Sequence, residues 1–290
     1  MALLNNVRER QWSILLESLP LAPPYQVDVS DASLCAETWL ENYVDAIGDA
    51  GHEIISLPGG FQSYIHDSML LYMKAEHVSL VAISAFAAGR STWSLVDVHH
   101  ASLLHAKAIA AFFGVHVTSY RKKSYLVDYF PQYGSKDHRR RFAKDYSDHV
   151  DPVRLMKWTS DQVQQKDIWG ILTRILNVCA FPDSRNSGLQ FLRESRLGAH
   201  SPERNRILYE LGHWTFIDDL LQPSSNLNLV RELKSNLDAS DDFYSDILIF
   251  ERLRELARSM AFDLCTRFFI SDLRFGDLKE MPDNCFRCGQ

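Results

Sequence analysis

"SLVDVHHASLLHAKAIAAFFG", residues 94–114, is the stretch on which the fold reading turns. Advancing about 100° per residue puts Leu95, Val98, Ser102, His105, Ile109 and Phe112 on one stripe, the spacing of a helix with a buried face. Gly114 stands where a helix commonly ends in the left-handed region. Ala101, Ala106, Ala108, Ala110 and Ala111 add little bulk, so neighbouring helices can approach closely. The expectation is a central helix of a bundle.

The neighbouring segments extend this reading. Upstream, "HVSLVAISAFAAG" (77–89) is apolar all round, as expected of a core helix, and forms the second half of a long segment from Phe61 to Ala88. That segment follows the turn "SLPGG". Before it, residues 3–18 form an amphipathic helix that Pro20, Pro23 and Pro24 cannot continue. A second helix starts near Asp31, buries Leu34, Trp39 and Tyr43, and runs to Gly48 or Gly51. Downstream, "VHVTSYRKKSYLVDYFP" (115–131) sets β-branched and aromatic residues around Lys122-Lys123, which predicts a short hairpin. Helical patterning resumes from about Asp151, with Ile168, Ile171, Leu172, Ile175 and Leu176 on one face. Further helices are expected at 185–196, 201–221 and from Ser240 to about Leu273. The predicted class is mainly α: a helical bundle with a small β-hairpin insertion near 115–131. Residues 1–55 read as a helical extension, 56–275 as one composite domain and 276–290 as a flexible tail.

Composition narrows the function. A chain of 290 residues with 46% hydrophobic and 23% charged residues can bury a sizeable core, as ordinary globular proteins do. A net charge of −6 argues against a protein that coats DNA, which needs a broad positive surface. The N-terminus has Arg and Glu where a signal peptide needs an apolar core, and the run from Val78 to Gly89 is too short to span a bilayer. Cys35, Cys179, Cys265, Cys285 and Cys288 are few, odd in number and scattered. They suggest reduced thiols in a cytoplasmic protein with no membrane contact.

"SPERNRILYELGHW" (201–214) carries the candidate chemistry. Ser201 as N-cap, Pro202 at the first helical position and Glu203 near the positive dipole end make a strong helix start. On the wheel Ile207, Leu208, Leu211 and Trp214 share one face, while Arg206, Glu210 and His213 share a polar stripe. Arg204 falls within the apolar face, and its guanidinium cannot shed its proton. It therefore either bends to solvent from the first turn or enters a site that holds an anion.

Together, "VDVHHASLLHAKAIAAFFGV" and "RNRILYELGHW" resemble the HEPN superfamily, helical bundles that include many metal-independent ribonucleases. The family signature is an Arg, then a polar residue, then a His four to six positions after the Arg. Arg204-Asn205 fits the first two positions. The next slot holds Tyr209, and His213 lies six residues beyond Arg206, which apolar Ile207 follows. Three readings stay open: His213 acts in a shifted register, Tyr209 substitutes, or catalysis has been lost. The resemblance implies RNA as partner, sites shared across a homodimer, no cofactor, and a bacterial toxin or phage-defence setting. If the site is active, His213 would be the acid-base group, Arg204 or Arg206 would hold the phosphate, and Asn205 would orient it. With Tyr209 in place of His, a high pKa favours binding without cleavage.

Other clusters have plainer readings beside them. Lys136, Arg139, Arg140, Arg141 and Lys144 suit a nucleic-acid backbone, or equally a solvated helix face. His99, His100 and His105 point to different helix faces, so core or interface histidines are expected and no metal is called. Cys285 and Cys288 lack a second ligand pair. There is no Walker A, no Gly-x-Gly-x-x-Gly and no Gly-x-Ser-x-Gly. The competing expectation is a noncatalytic helical adaptor that assembles with another protein.

Overall fold

The computed structural model describes residues 10–18, 26–28, 30–47, 51–88, 90–131, 150–158, 162–179, 181, 186–198, 242–267 and 269–271. Helix accounts for 67% of these, so the protein is mainly helical, with a small four-stranded antiparallel sheet. The helices are α1 (Trp12–Ser18), α2 (Ala36–Trp39), α3 (Gly60–Ala87), α4 (Ser91–Phe112), α5 (Gln165–Val178), α6 (Asn186–Glu194) and α7 (Asp242–Arg267). The sheet strands are β2 (His52–Pro58), β3 (Val115–Tyr120), β4 (Lys123–Asp128) and β5 (Val150–Lys157), in the order β2-β5-β4-β3. A separate parallel pair joins β1 (Gln26–Asp28) to β6 (Phe269–Ser271).

The stripe predicted on α4 is its core face. His105, Ile109 and Phe112 are fully buried, and Leu95, Val98 and Ser102 nearly so. Ala101, Ala106 and Ala108 are also fully buried, and α4 packs against α3, α5, α7 and β3. α3 departs from the all-round burial expected of it. Ala82 and Phe86 face the interior, whereas Val81 is 45% exposed. Among the described residues α3 is the one helix long and apolar enough to cross a membrane, and half of its most apolar window is buried within the protein.

The hairpin forms where predicted, with β3 and β4 in register from Val115↔Asp128 to Tyr120↔Lys123. Arg121 and Lys122 both have positive φ, 47° and 66°, the backbone a two-residue turn needs to match strand twist. The hairpin is half of a larger sheet, because β5 pairs β4 on one side and β2 on the other. Helical patterning was expected from Asp151, and that residue lies in a strand. Partner geometry overrides local pattern here: Ile55↔Val153 and Leu57↔Asp151 put buried Ile55, Leu57 and Val153 into the core. Pro152 falls where β5 has only β2 beside it, a position that tolerates a residue with no N–H.

Residues 32–47 form short 3-10 turns around α2 rather than one helix, and still bury Trp39 and Leu40. The start of α3 is satisfied from the sheet: the Phe61 N–H donates to Asp151 Oδ2 at 2.8 Å. A Cβ on Gly60 would lie 2.7 Å from the Asp151 Cβ, so the close approach requires glycine. Near the N-terminus, fully buried Arg10 pairs with Asp128 at 2.5 Å and donates to the Phe113 and Phe130 carbonyls. Trp12 packs edge-on to Phe112 and Phe113. These contacts tie the segment before α2 to the end of α4 and to the hairpin.

Candidate functional site

The described surface holds a cleft of about 530 Å³ along α5, lined by Lys166, Trp169, Gly170, Thr173, Arg174, Asn177, Leu197 and Gly198. It follows from the helix pattern. Ile168, Ile171, Leu172, Ile175 and Leu176 turn inward and are buried, so Lys166, Gly170, Thr173 and Asn177 at spacings of three and four must face out. The helix is held firmly at both ends. Gln164 and Asp167 form a reciprocal capping box at its start, and the Arg193 Nε donates to the Leu176 carbonyl at 2.6 Å near its end. Gln165 Oε1 lies 3.3 Å from His99 Nε2, which anchors the first turn to α4.

The chemistry of the cleft is cationic and hydrogen-bonding. Lys166 contributes an exposed ammonium, Arg174 a half-buried guanidinium and Asn177 an exposed amide. The Thr173 hydroxyl donates to the Trp169 carbonyl at 2.8 Å, so it shapes the wall and has only lone pairs left to offer. Trp169 is 4% exposed, yet its indole N–H has no hydrogen-bond partner. A second void of about 10 Å³ adjoins the cleft and shares Trp169 and Gly198 with it.

A buried Ser–His–Glu group elsewhere looks catalytic by composition and is not so by geometry. Ser79 Oγ lies 3.0 Å from His105 Nε2, and Glu76 Oε1 lies 3.6 Å from that same nitrogen. A nucleophile–base–carboxylate relay needs serine and carboxylate on opposite ring nitrogens. Here His105 Nδ1 has no partner, and the Ser79 hydroxyl already donates to the Ala75 carbonyl at 2.7 Å. With the Ser79 hydrogen so used, His105 donates from Nε2, and burial pushes its pKa down to about 4. Arg254 of α7 grips Glu76 through Nε at 3.0 Å and Nη2 at 2.7 Å. The group fastens α3, α4 and α7 together.

Asp67 is a comparable fastening point. It accepts from the Tyr129 hydroxyl at 2.6 Å, lies 3.0 Å from His66 Nδ1, and takes the Ala36 N–H at 3.3 Å. Cys35 stands close by, but burial and then the Asp67 charge raise its pKa, away from a reactive thiolate.

The structure brings His99 and His105 into the interior and leaves His100 exposed. Among the described residues no group of three or more His, Cys, Asp and Glu is placed to hold a metal. Arg204, Asn205, Arg206, Tyr209 and His213 lie outside the described residues, as do Lys136, Arg139, Arg140, Arg141, Lys144, Cys285 and Cys288. The cleft residues Lys166, Trp169, Arg174, Asn177 and Gly198 were not singled out from the sequence. For Lys166, Arg174 and Asn177 the signal was available as the complement of the apolar face of α5, whereas Trp169 is itself buried and only the fold shows that Leu197 and Gly198 supply the facing wall. No family model matches the sequence, and neither a curated protein nor a solved structure is significantly similar to it.

Proposed function

We propose that the protein is a cytoplasmic RNA-binding protein with a HEPN-like helical bundle, and that the α5 cleft contacts the RNA phosphate backbone. One observation carries this reading: Lys166, Arg174 and Asn177 line one open cleft. Cationic and amide donors arrayed along a groove suit phosphate oxygens. The groove is local, which agrees with a net charge of −6. In this reading the activity is metal-independent endoribonucleolysis in a toxin or phage-defence setting. His213 serves as acid-base group, Arg204 or Arg206 holds the phosphate, Asn205 orients it, and Tyr209 takes the slot where the HEPN pattern has His. A homodimer supplies the second half of the site.

The test is incubation of the purified protein with total RNA in the presence of a chelator, beside Arg204→Ala and His213→Ala. Cleavage by the parent protein alone supports the enzyme. RNA retention without cleavage in all three supports a binding protein in which Tyr209 has ended catalysis. Absence of both overturns the reading.

A noncatalytic adaptor is the second reading, favoured by exposed apolar side chains. Val81 near the end of α3 is 45% exposed, and Trp93 at the start of α4 is 50% exposed. An adaptor predicts loss of complex formation in Trp93→Ser and no effect on RNA.

A further inference from the structure

The tip of the β3–β4 hairpin carries strain that its own stability does not explain. A two-residue turn of this kind needs φ > 0 at both central positions, and Asn-Gly or Asp-Gly meets that need with least strain. Here the positions hold Arg121 and Lys122, at φ 47° and 66°. Left-handed backbone brings a Cβ against the following carbonyl, so both residues are strained where glycine would not be. Strain retained at an exposed turn points to a task for the side chains it presents.

Those side chains are cations in an unbroken run, Arg121, Lys122 and Lys123, and all three are exposed. Their Cα atoms span no more than about 7 Å, at roughly 3.3–3.6 Å per residue. The base of the run is fixed. The Tyr120 hydroxyl donates to Glu41 Oε1 at 2.7 Å, and the Arg121 guanidinium lies over the Tyr120 ring, 5.0 Å from its centroid. Lys123 is the cross-strand partner of Tyr120, so these two side chains leave the same face of the sheet. Glu41 also lies 3.8 Å from Arg121 Nη2, but that pair is 77% and 61% exposed, where water screens the attraction. Lys122 and Lys123 make no ion pair with a described residue. Lys157 stands diagonal to Lys123 across β4 and β5, yet it has Glu53 as a diagonal neighbour of its own, so the excess of positive charge is at the tip.

We infer that the hairpin tip Arg121, Lys122 and Lys123 is a contact surface for the phosphodiester backbone of RNA. This rests on the RNA-binding reading and adds to it a second anchoring point, none of whose residues lines the α5 cleft. Adjacent cations on a rigid turn repel one another and are best matched by a partner whose negative charge also repeats closely. A nucleic-acid strand repeats its charge at every nucleotide, whatever its sequence. The guanidinium adds a planar fork that suits phosphate oxygens, and its place over Tyr120 fixes its position before any ligand arrives. A net charge of −6 over the whole chain makes such a patch a local attractor rather than a general coat.

The test measures binding of a short single-stranded RNA, with poly-L-glutamate as a second polyanion, across a salt series. The proteins are the parent, Lys122→Gly, Lys123→Gln, their double variant, and Lys74→Gln, which removes an exposed cation of α3 far along the chain from the tip. Expected is a roughly fivefold loss of RNA affinity for each tip substitution and a roughly 25-fold loss for the pair. Those are the factors that release of about 0.7 counterion per phosphate contact gives at about 0.1 M salt, and the slope of log affinity against log salt should shrink by about 0.7 per cation removed. Lys122→Gly should show this loss with a thermal midpoint no lower than the parent's, which separates a lost contact from a damaged fold. Lys123→Gln keeps the turn residues intact and carries the test if Lys122→Gly folds poorly. Lys74→Gln should bind RNA as the parent does, and an equal loss there would assign the effect to overall charge and overturn the inference. Tip variants that bind RNA like the parent overturn the contact surface and leave the RNA-binding reading standing. Polyglutamate bound as tightly as RNA, and lost in the same variants, overturns RNA as the occupant in favour of an acidic peptide. No RNA binding by the parent overturns both the contact surface and the reading it rests on.

Discussion

Arg254→Met should be among the most damaging single substitutions that the described residues allow. Glu76 is 2% exposed and Arg254 8% exposed, and the guanidinium meets both carboxylate oxygens through two nitrogens. Methionine keeps much of the stem and packs among apolar neighbours, so the change is mainly electrostatic. It strands a carboxylate in the interior with His105 3.6 Å away. Breaking a buried pair by removing one partner costs about 3–5 kcal/mol, because the remaining ion has neither water nor counter-charge. For a chain of this size that corresponds to a fall of roughly 6–20 °C in thermal midpoint. Urea unfolding followed by circular dichroism reads the loss, with the denaturant slope expected to stay constant. The double variant Glu76→Leu/Arg254→Met removes both charges and should return to within about 1 kcal/mol of the parent, or exceed it. The two substitutions are then strongly non-additive. Arg254 also holds down the pKa of His105, so the single variant should raise it, which a histidine titration by NMR detects. A single variant that loses less than about 1 kcal/mol at unchanged slope would refute the claim that this pair is a buried fastening.

Three further outcomes follow from the geometry. His105 stays neutral in the fold with its pKa pushed down to about 4, while in the unfolded chain it protonates near 6.5. The unfolded state therefore gains the proton first, and stability should fall by about 3 kcal/mol as pH drops from about 6.5 to 4. Burial lowers His116 in the same direction, so His105→Phe should flatten part of that limb in pH-dependent urea midpoints, and an unchanged limb would exclude His105 as its source. Lys122→Gly relieves a left-handed backbone at φ 66° and should stabilise by roughly 0.5–1 kcal/mol after the added freedom of the unfolded chain is offset. A lowered thermal midpoint would argue against that turn. Gly114→Ala forces a Cβ to 2.3 Å from the Phe130 ring at φ +79°, and a loss of about 2 kcal/mol or more is expected in the same unfolding assay. A neutral result would place Phe130 elsewhere.

Local pattern was enough wherever one face of an element does one job. The buried stripe of α4 could be read from spacing, as could the apolar face of α5 and the hairpin around Lys122. Each depends on a period of two or 3.6, which the sequence carries on its own. The strand at Val150–Lys157 could not be read in this way, because its order comes from β2 and β4, partners distant in the chain. β pairing is decided by which residues meet across strands, and no local window contains that information.

The same division holds for the candidate site. The sequence determined which side chains of α5 face outward, since Ile168, Ile171, Leu172, Ile175 and Leu176 had to face in. It did not determine that Leu197 and Gly198 would come back against Trp169, or that the indole N–H would be enclosed with no acceptor. Nor did it show that Ser79 and Glu76 would meet the same nitrogen of His105. An outward face is a property of one helix, whereas a cleft, an orphaned donor and a choice of ring nitrogen exist only once separate elements have packed.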